Sequence, residues 1–174
     1  HALAAAPLGD ERFVEHGVRA ARSAMQHMAF EEAVRVYERT IDAMVHARPD
    51  ERRRCELLLA LAEAKEWAND RGGSREAVEE AAEIARSLDA PELLARAALA
   101  VGAIEALKAT ASSRCETAAS LLRETLAMGD RIDRATRARL RSRLALHYLT
   151  SGERSEALSE SASAVSDARS SADL

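Results

Sequence analysis

The sequence predicts an all-α chain, wound as a right-handed α-solenoid of about four helical hairpins with eight main helices. Three observations carry this. The first is composition: Ala, Leu, Arg and Glu dominate, with 7 Gly, 3 Pro and 3% aromatic residues, a balance suited to long helices packed through small side chains. β-Branched clusters are few, so strands are not expected. The second is that apolar residues recur at helical spacing between Gly, Pro and Asp punctuation. The third is repetition: small residues stand at Ala21, Ala62, Gly102 and Ala145, roughly 41, 40 and 43 residues apart, the period of a helical repeat. An ordinary helical bundle with chance alanine spacing is the alternative. The joint recurrence of small residue, turn and second helix favours the repeat.

In chain order, His1 to Asp10 is Ala-rich, is punctuated by Pro7 and Gly9, and reads as the tail of a preceding helix. Glu11 to His27 is the first long helix, with Val14, Val18, Ala21, Ala24 and Met28 near one stripe. Phe30 opens the second, which runs to about Ala47 before Pro49. Glu51 to Ala68 and Ser74 to Leu88 form the central hairpin, with Asn69-Asp70-Arg71-Gly72-Gly73 as a glycine turn. Its first helix carries Leu57, Leu58, Leu59 and Leu61 and is apolar nearly all round, so it needs neighbours on several sides. Pro91 suits a first helical turn, so Glu92 to Lys108 is the fifth helix and Ser113 to Met128 the sixth. Their turn, Ala109 to Ser113, lacks glycine, and Arg114 or Cys115 falls where a small residue is expected, making the third unit degenerate. Gly129-Asp130 reads as a helix stop followed by a start. Asp133 to Ser151 and Arg154 to Arg169 are the last two helices, turned at Gly152, and the serines of the eighth make it a poor helix former. The hairpins therefore cover roughly 11–48, 50–88, 91–128 and 132–170 of a single domain over 1–174.

A net charge of -4 argues against nucleic acid as the main partner. Cys55 and Cys115 read as buried small apolar groups in a reducing, cytoplasmic setting rather than as a disulfide. No apolar run approaches the ~18 residues of a membrane span, and His1 to Leu8 lacks the features of a signal peptide. The five histidines are scattered, with no zinc-ligand spacing and no nucleophile elbow, so no catalytic, cofactor or metal residue is expected. Glu31-Glu32 and Glu79-Glu80 read as solvated outer faces. The densest basic run is Arg131, Arg134, Arg137, Arg139, Arg141 and Arg143. On a helix Arg134, Arg137 and Arg141 share one face, and Arg139 and Arg143 another. The run is either an anion or nucleic-acid patch or a solvated edge paired to acids of neighbouring helices. The acidic chain and the lack of interleaved aromatics favour the second.

Phe30-Glu31-Glu32-Ala33-Val34-Arg35-Val36-Tyr37 resembles the second helix of a tetratricopeptide (TPR) repeat, with the small residue at Ala33 and the aromatic plug at Tyr37. The stretches Arg52 to Leu61, Asn69-Asp70-Arg71, Ala81 to Arg86, Asp89 to Leu99 and Ser151 to Arg154 are similar to the TPR-like region of large ATP-binding LuxR-type bacterial transcriptional regulators and related signalling ATPases. The resemblance covers most of the chain. The third unit and the serine-rich helix depart from it. It implies a non-catalytic protein-interaction or sensing segment of a larger regulator. There is no G-x-x-x-x-G-K-[ST], so the NTPase module of such regulators is not in this segment. The partner is then a protein or peptide, or other domains of the parent protein. A small-molecule inducer held in an enclosed pocket is the alternative.

In such an array the first helices line the concave groove. The inward positions are Arg22 and Met25, then Glu56, Leu59, Glu63 and Trp67, then Leu99, Ala103 and Leu107, then Arg139, Arg143 and Leu146. Arg22, Glu63, Trp67, Leu99, Arg139 and Arg143 are the candidate partner-binding residues. Trp67 is either such an anchor or ordinary packing at a helix end.

Overall fold

A computed structural model describes residues 11–47, 50–106 and 114–172. Among these the chain is all-α, without a strand. Eight α-helices follow in order: α1 (Glu11–Gln26), α2 (Phe30–Ala47), α3 (Glu51–Trp67), α4 (Arg71–Ser87), α5 (Pro91–Ala106), α6 (Arg114–Leu126), α7 (Arg134–Ser151) and α8 (Arg154–Ala172), with a short 3-10 turn at Gly129–Arg131. The expected His1 to Asp10 segment, Pro49, Leu107, Lys108 and the Ala109 to Ser113 turn lie outside the described residues, as do the side chains of Ala103 and Cys115. The chain forms two compact units, His1–Leu88 and Asp89–Leu174.

In the first unit each helix packs on the next, α1 on α2, α2 on α3 and α3 on α4. The α1–α2 crossing is close because Gly17 faces the buried Thr40, while Ala21 and Ala33 are fully buried. α3 buries Cys55, Leu57, Leu58, Leu59, Leu61, Ala62 and Ala64, as an all-round apolar helix must. Leu59 is thus core rather than groove lining. Across the α3–α4 crossing Ser74 Oγ donates to the Ala62 carbonyl at 2.8 Å and Cys55 Sγ to the Ala81 carbonyl at 3.2 Å. Cys55 is fully buried.

The α3–α4 turn differs from a glycine turn. Gly72 and Gly73 lie inside the first turn of α4, which begins at Arg71. The reversal is made by Asn69, at φ 62°, a conformation its short polar side chain tolerates. Asp70 then caps α4 by accepting from the Gly73 N–H at 3.0 Å. A Cβ on Gly73 would collide with that carboxylate, so the glycine serves the cap instead of the turn. Glu80 also departs from a solvated outer position: it is half-buried and pairs with Arg54 of α3, whereas Glu79 is exposed.

The backbone repeats where the small residues suggest. α1 ends with Met28 at φ 58°, α3 with Asn69 at φ 62° and α7 with Gly152 at φ 86°. Each end closes with the same pair of bonds, the one spanning more residues being Ala29 N to Ala24 O at 2.9 Å, Asp70 N to Lys65 O at 2.8 Å and Glu153 N to Tyr148 O at 2.9 Å. This is the Schellman closure, which satisfies carbonyls that a helix end leaves unpaired.

In the second unit α5 packs on α6 and α7, α6 on α7, and α7 on α8. Leu93, Leu94, Leu122, Leu140 and Leu144 fill its core. Gly129, at φ 60°, stops α6, but α7 does not start at Asp130. The 3-10 turn intervenes and Asp133 is the cap, accepting from Thr136 N–H at 2.9 Å. Arg131 of that turn forks onto Asp89, reaching its two carboxylate oxygens at 2.9 and 2.8 Å and its carbonyl at 3.1 Å. Arg131 thereby holds the Asp89 carboxyl below its ordinary range. α8 is continuous despite its serines, because Arg137 and Arg141 of α7 fasten it through Asp167 at 3.3 and 3.0 Å, and Arg141 reaches Glu160 at 2.9 Å.

Candidate functional site

On the first unit three helices contribute to one face. Arg22 comes from α1, Tyr37 from α2 and Glu63 from α3. Tyr37 is 4% exposed and its hydroxyl accepts a hydrogen bond from Arg22. Burial raises the phenol's pKa, the Arg22 charge opposes that, and the Glu63 charge adds to it. The neutral tyrosine thus lies between an exposed cation and an exposed anion.

One helical turn beyond Glu63 lies Trp67, the last residue of α3. It is 62% exposed and lies stacked on Phe30, ring centroids 5.7 Å apart and planes 21° from parallel. Phe30 is the first residue of α2, so the start of one helix is held against the end of another. Lys65, near the same end of α3, reaches Glu38 of α2 at 2.9 Å. The tryptophan is thus supported on one side and open on the other, combining both readings that its position allows. The face offers a cation, an anion and a braced aromatic surface. Among the described residues no group of three His, Cys, Asp or Glu side chains is placed to hold a metal, and no helix is long and apolar enough to cross a membrane.

The remaining candidates belong to the second unit. Leu99 is half-buried on α5, Arg139 is exposed on α7, and Arg143 is half-buried one turn further along. The basic run divides as its helical spacing suggests. Arg137 and Arg141 face the carboxylates of α8, Arg137 also reaches Asp130 at 3.3 Å, and Arg134 donates to the Ser170 carbonyl at 3.4 Å. Arg139 and Arg143 instead border an open groove of about 500 Å³ between α7 and α8. The expectation of a solvated edge paired to neighbouring acids describes the first set.

Three contributors escaped the sequence reading. Phe30 registers only as a helix start until its ring is seen under Trp67. Gly17 is a mid-helix glycine, and such a residue usually signals close packing. Val165, 47% exposed on α8, forms part of the α7–α8 groove. A scan against models of protein families finds no match, and a search of curated proteins finds no significant match.

Proposed function

We propose that the chain is a non-catalytic interaction segment that receives a protein or peptide partner on the Arg22–Glu63–Trp67 face. The observation that carries this is the braced but open tryptophan. Holding a large aromatic ring 62% exposed in water forgoes burial worth ~1.5–3 kcal/mol, and aromatic side chains of this kind are frequent anchors at interfaces. Its stacking on Phe30 reduces the entropy lost when a partner closes over it. Exposed charges of both signs beside it favour a polypeptide over an enclosed small-molecule inducer. On the same reading the hairpins wind as a right-handed TPR-like solenoid. The segment then serves a cytoplasmic LuxR-type bacterial regulator or signalling ATPase, a parent class supported by the sequence resemblance.

The test is capture of partners from the source cells, followed by titration of the identified partner. Trp67→Ala is expected to weaken binding by ~2 kcal/mol or more while leaving helicity intact. Glu79→Ala, on the exposed face of α4, should leave affinity unchanged. Loss of binding in Glu79→Ala with retention in Trp67→Ala would move the working surface elsewhere.

A further inference from the structure

The α7–α8 groove raises a question that the first unit's face does not answer: of the three arginines in the run that make no ion pair among the described residues, Arg134 is held by the Ser170 carbonyl, whereas Arg139 and Arg143 border the groove. Arg131, Arg137 and Arg141 are each spent on a carboxylate. Among the described residues Arg139 and Arg143 make no ion pair, and no carboxylate lines the groove they border. A pair of cations four apart in one helix repel each other mildly, so their joint placement beside the groove is unfavourable to the isolated hairpin.

The groove itself has small walls. Ala135, Ala138 and Ser142 stand on α7, and Ser161, Ala164 and Ala168 on α8. Small side chains on two adjacent helices let a third helix approach closely along the furrow between them. Val165 lies in the furrow, still 47% exposed. From Ala135 to Arg143 the α7 wall runs about 12 Å, a little over two helical turns. The chemistry is therefore an apolar furrow of small residues with two unneutralised cations along one rim.

We propose that this groove docks an acidic amphipathic helix, its apolar ridge laid between α7 and α8 and its carboxylates turned to Arg139 and Arg143. Charge complementarity selects this occupant. A basic helix would add to the existing repulsion, and a wholly apolar one would leave both guanidinium groups unpaired. The site lies within the second unit and uses none of Arg22, Glu63 or Trp67, so it goes beyond the function proposed above and stands without it.

The probe is a fluorescein-labelled synthetic peptide of about four helical turns, with Leu at i, i+3, i+4 and i+7 and Glu on the flanking positions. It is titrated into the full chain and followed by fluorescence anisotropy. A matched peptide with Lys for Glu is the control. The acidic peptide should bind saturably, at least tenfold more tightly than the basic one, and lose affinity as salt screens the rim. Arg139→Glu with Arg143→Glu should weaken the acidic peptide tenfold or more and reverse the preference between the two. Ser161→Trp, at an exposed position, should block the furrow and abolish binding of either peptide. Trp67→Ala should bind as wild type does, which separates this site from the first unit's face. Circular dichroism melts check that each variant is folded. No binding of the acidic peptide, or equal binding by the charge-reversed variant, overturns the proposal. So does concentration-dependent dimerisation removed by Ser161→Trp, which would assign the groove to a second copy of the chain.

Discussion

Replacing Gly17 with alanine pits a local gain against a tertiary cost, and the structure decides between them. Alanine in a helix interior is favoured over glycine by ~1 kcal/mol. The new Cβ would fall well inside contact distance of Thr40 Oγ1 and 3.1 Å from its Cγ2. Thr40 cannot step aside cheaply. It is 1% exposed, it is β-branched and stiff in a helix, and its hydroxyl donates to the Val36 carbonyl at 2.7 Å. Turning it would break that bond in a buried setting, a loss of about 1–3 kcal/mol. Spreading α1 from α2 instead is an overpacking cost of similar size, ~1–3 kcal/mol. The net expectation is a destabilisation of ~1 kcal/mol, despite the better helix former. Thr40→Ala removes the two nearest atoms and leaves only its Cβ, 3.2 Å from the new one, so Gly17→Ala should lose most of its penalty in that background, with a coupling of roughly 1–3 kcal/mol. Urea unfolding of the four proteins in the cycle, followed by circular dichroism, measures it. If Gly17→Ala raises stability in the wild-type background and the two changes add, the close crossing is wrong.

Two further predictions concern helix ends. Met28 is held at φ 58° with its side chain 76% exposed, so Met28→Gly should relieve ~1 kcal/mol of backbone strain without sacrificing burial, read as a higher denaturation midpoint. Asp133 has its carboxyl pKa lowered, first by the Thr136 hydroxyl and then by the Thr136 N–H. A lowered folded-state pKa stabilises above the unfolded value and is lost as pH falls through the folded one. Asp133→Ala should therefore cost ~1 kcal/mol at neutral pH, and the gap between variant and wild type should close in melts taken well below the ordinary carboxylate pKa of ~3.9.

The helices themselves were legible because their punctuation is local. Pro91, Gly129, Gly152 and the apolar spacing of α3 act within a turn or two, and the structure ends or starts helices beside them. The α3–α4 junction is deceptive in sequence because Gly72-Gly73 is the louder turn signal, yet Asn69 can take the left-handed conformation and Asp70 can cap, so the helix begins before the glycines. The role of Gly17 was hidden by the abundance of alanine, which makes any one small residue uninformative until its opposite number, Thr40, is known. The candidate site divides in the same way. That Glu63 and Trp67 share a face, and that Arg139 and Arg143 stand apart from Arg137 and Arg141, follows from helical spacing alone. That Phe30 braces Trp67, that Tyr37 links Arg22 to Glu63, and that Asp167 and Glu160 neutralise only one set of arginines all depend on tertiary register. No local rule supplies that register.

The fastening of α8 through Arg137 and Arg141 has a consequence for how this end of the molecule breathes. Serine is a middling helix former, so α8 has little tendency to stay wound by itself, and much of its order comes from α7. Its strongest directional links are two arginines converging on Asp167 and Glu160, all partly accessible to dissolved ions. Amides of α8 should then exchange with solvent through local opening well below the global unfolding free energy, and sooner in high salt than in low. Those of α3, sealed by leucines, should wait for wider unfolding of their unit. The two walls of the α7–α8 groove are accordingly unequal in firmness: one is a scaffold, and the other is a leaf whose hold on the scaffold loosens with ionic strength.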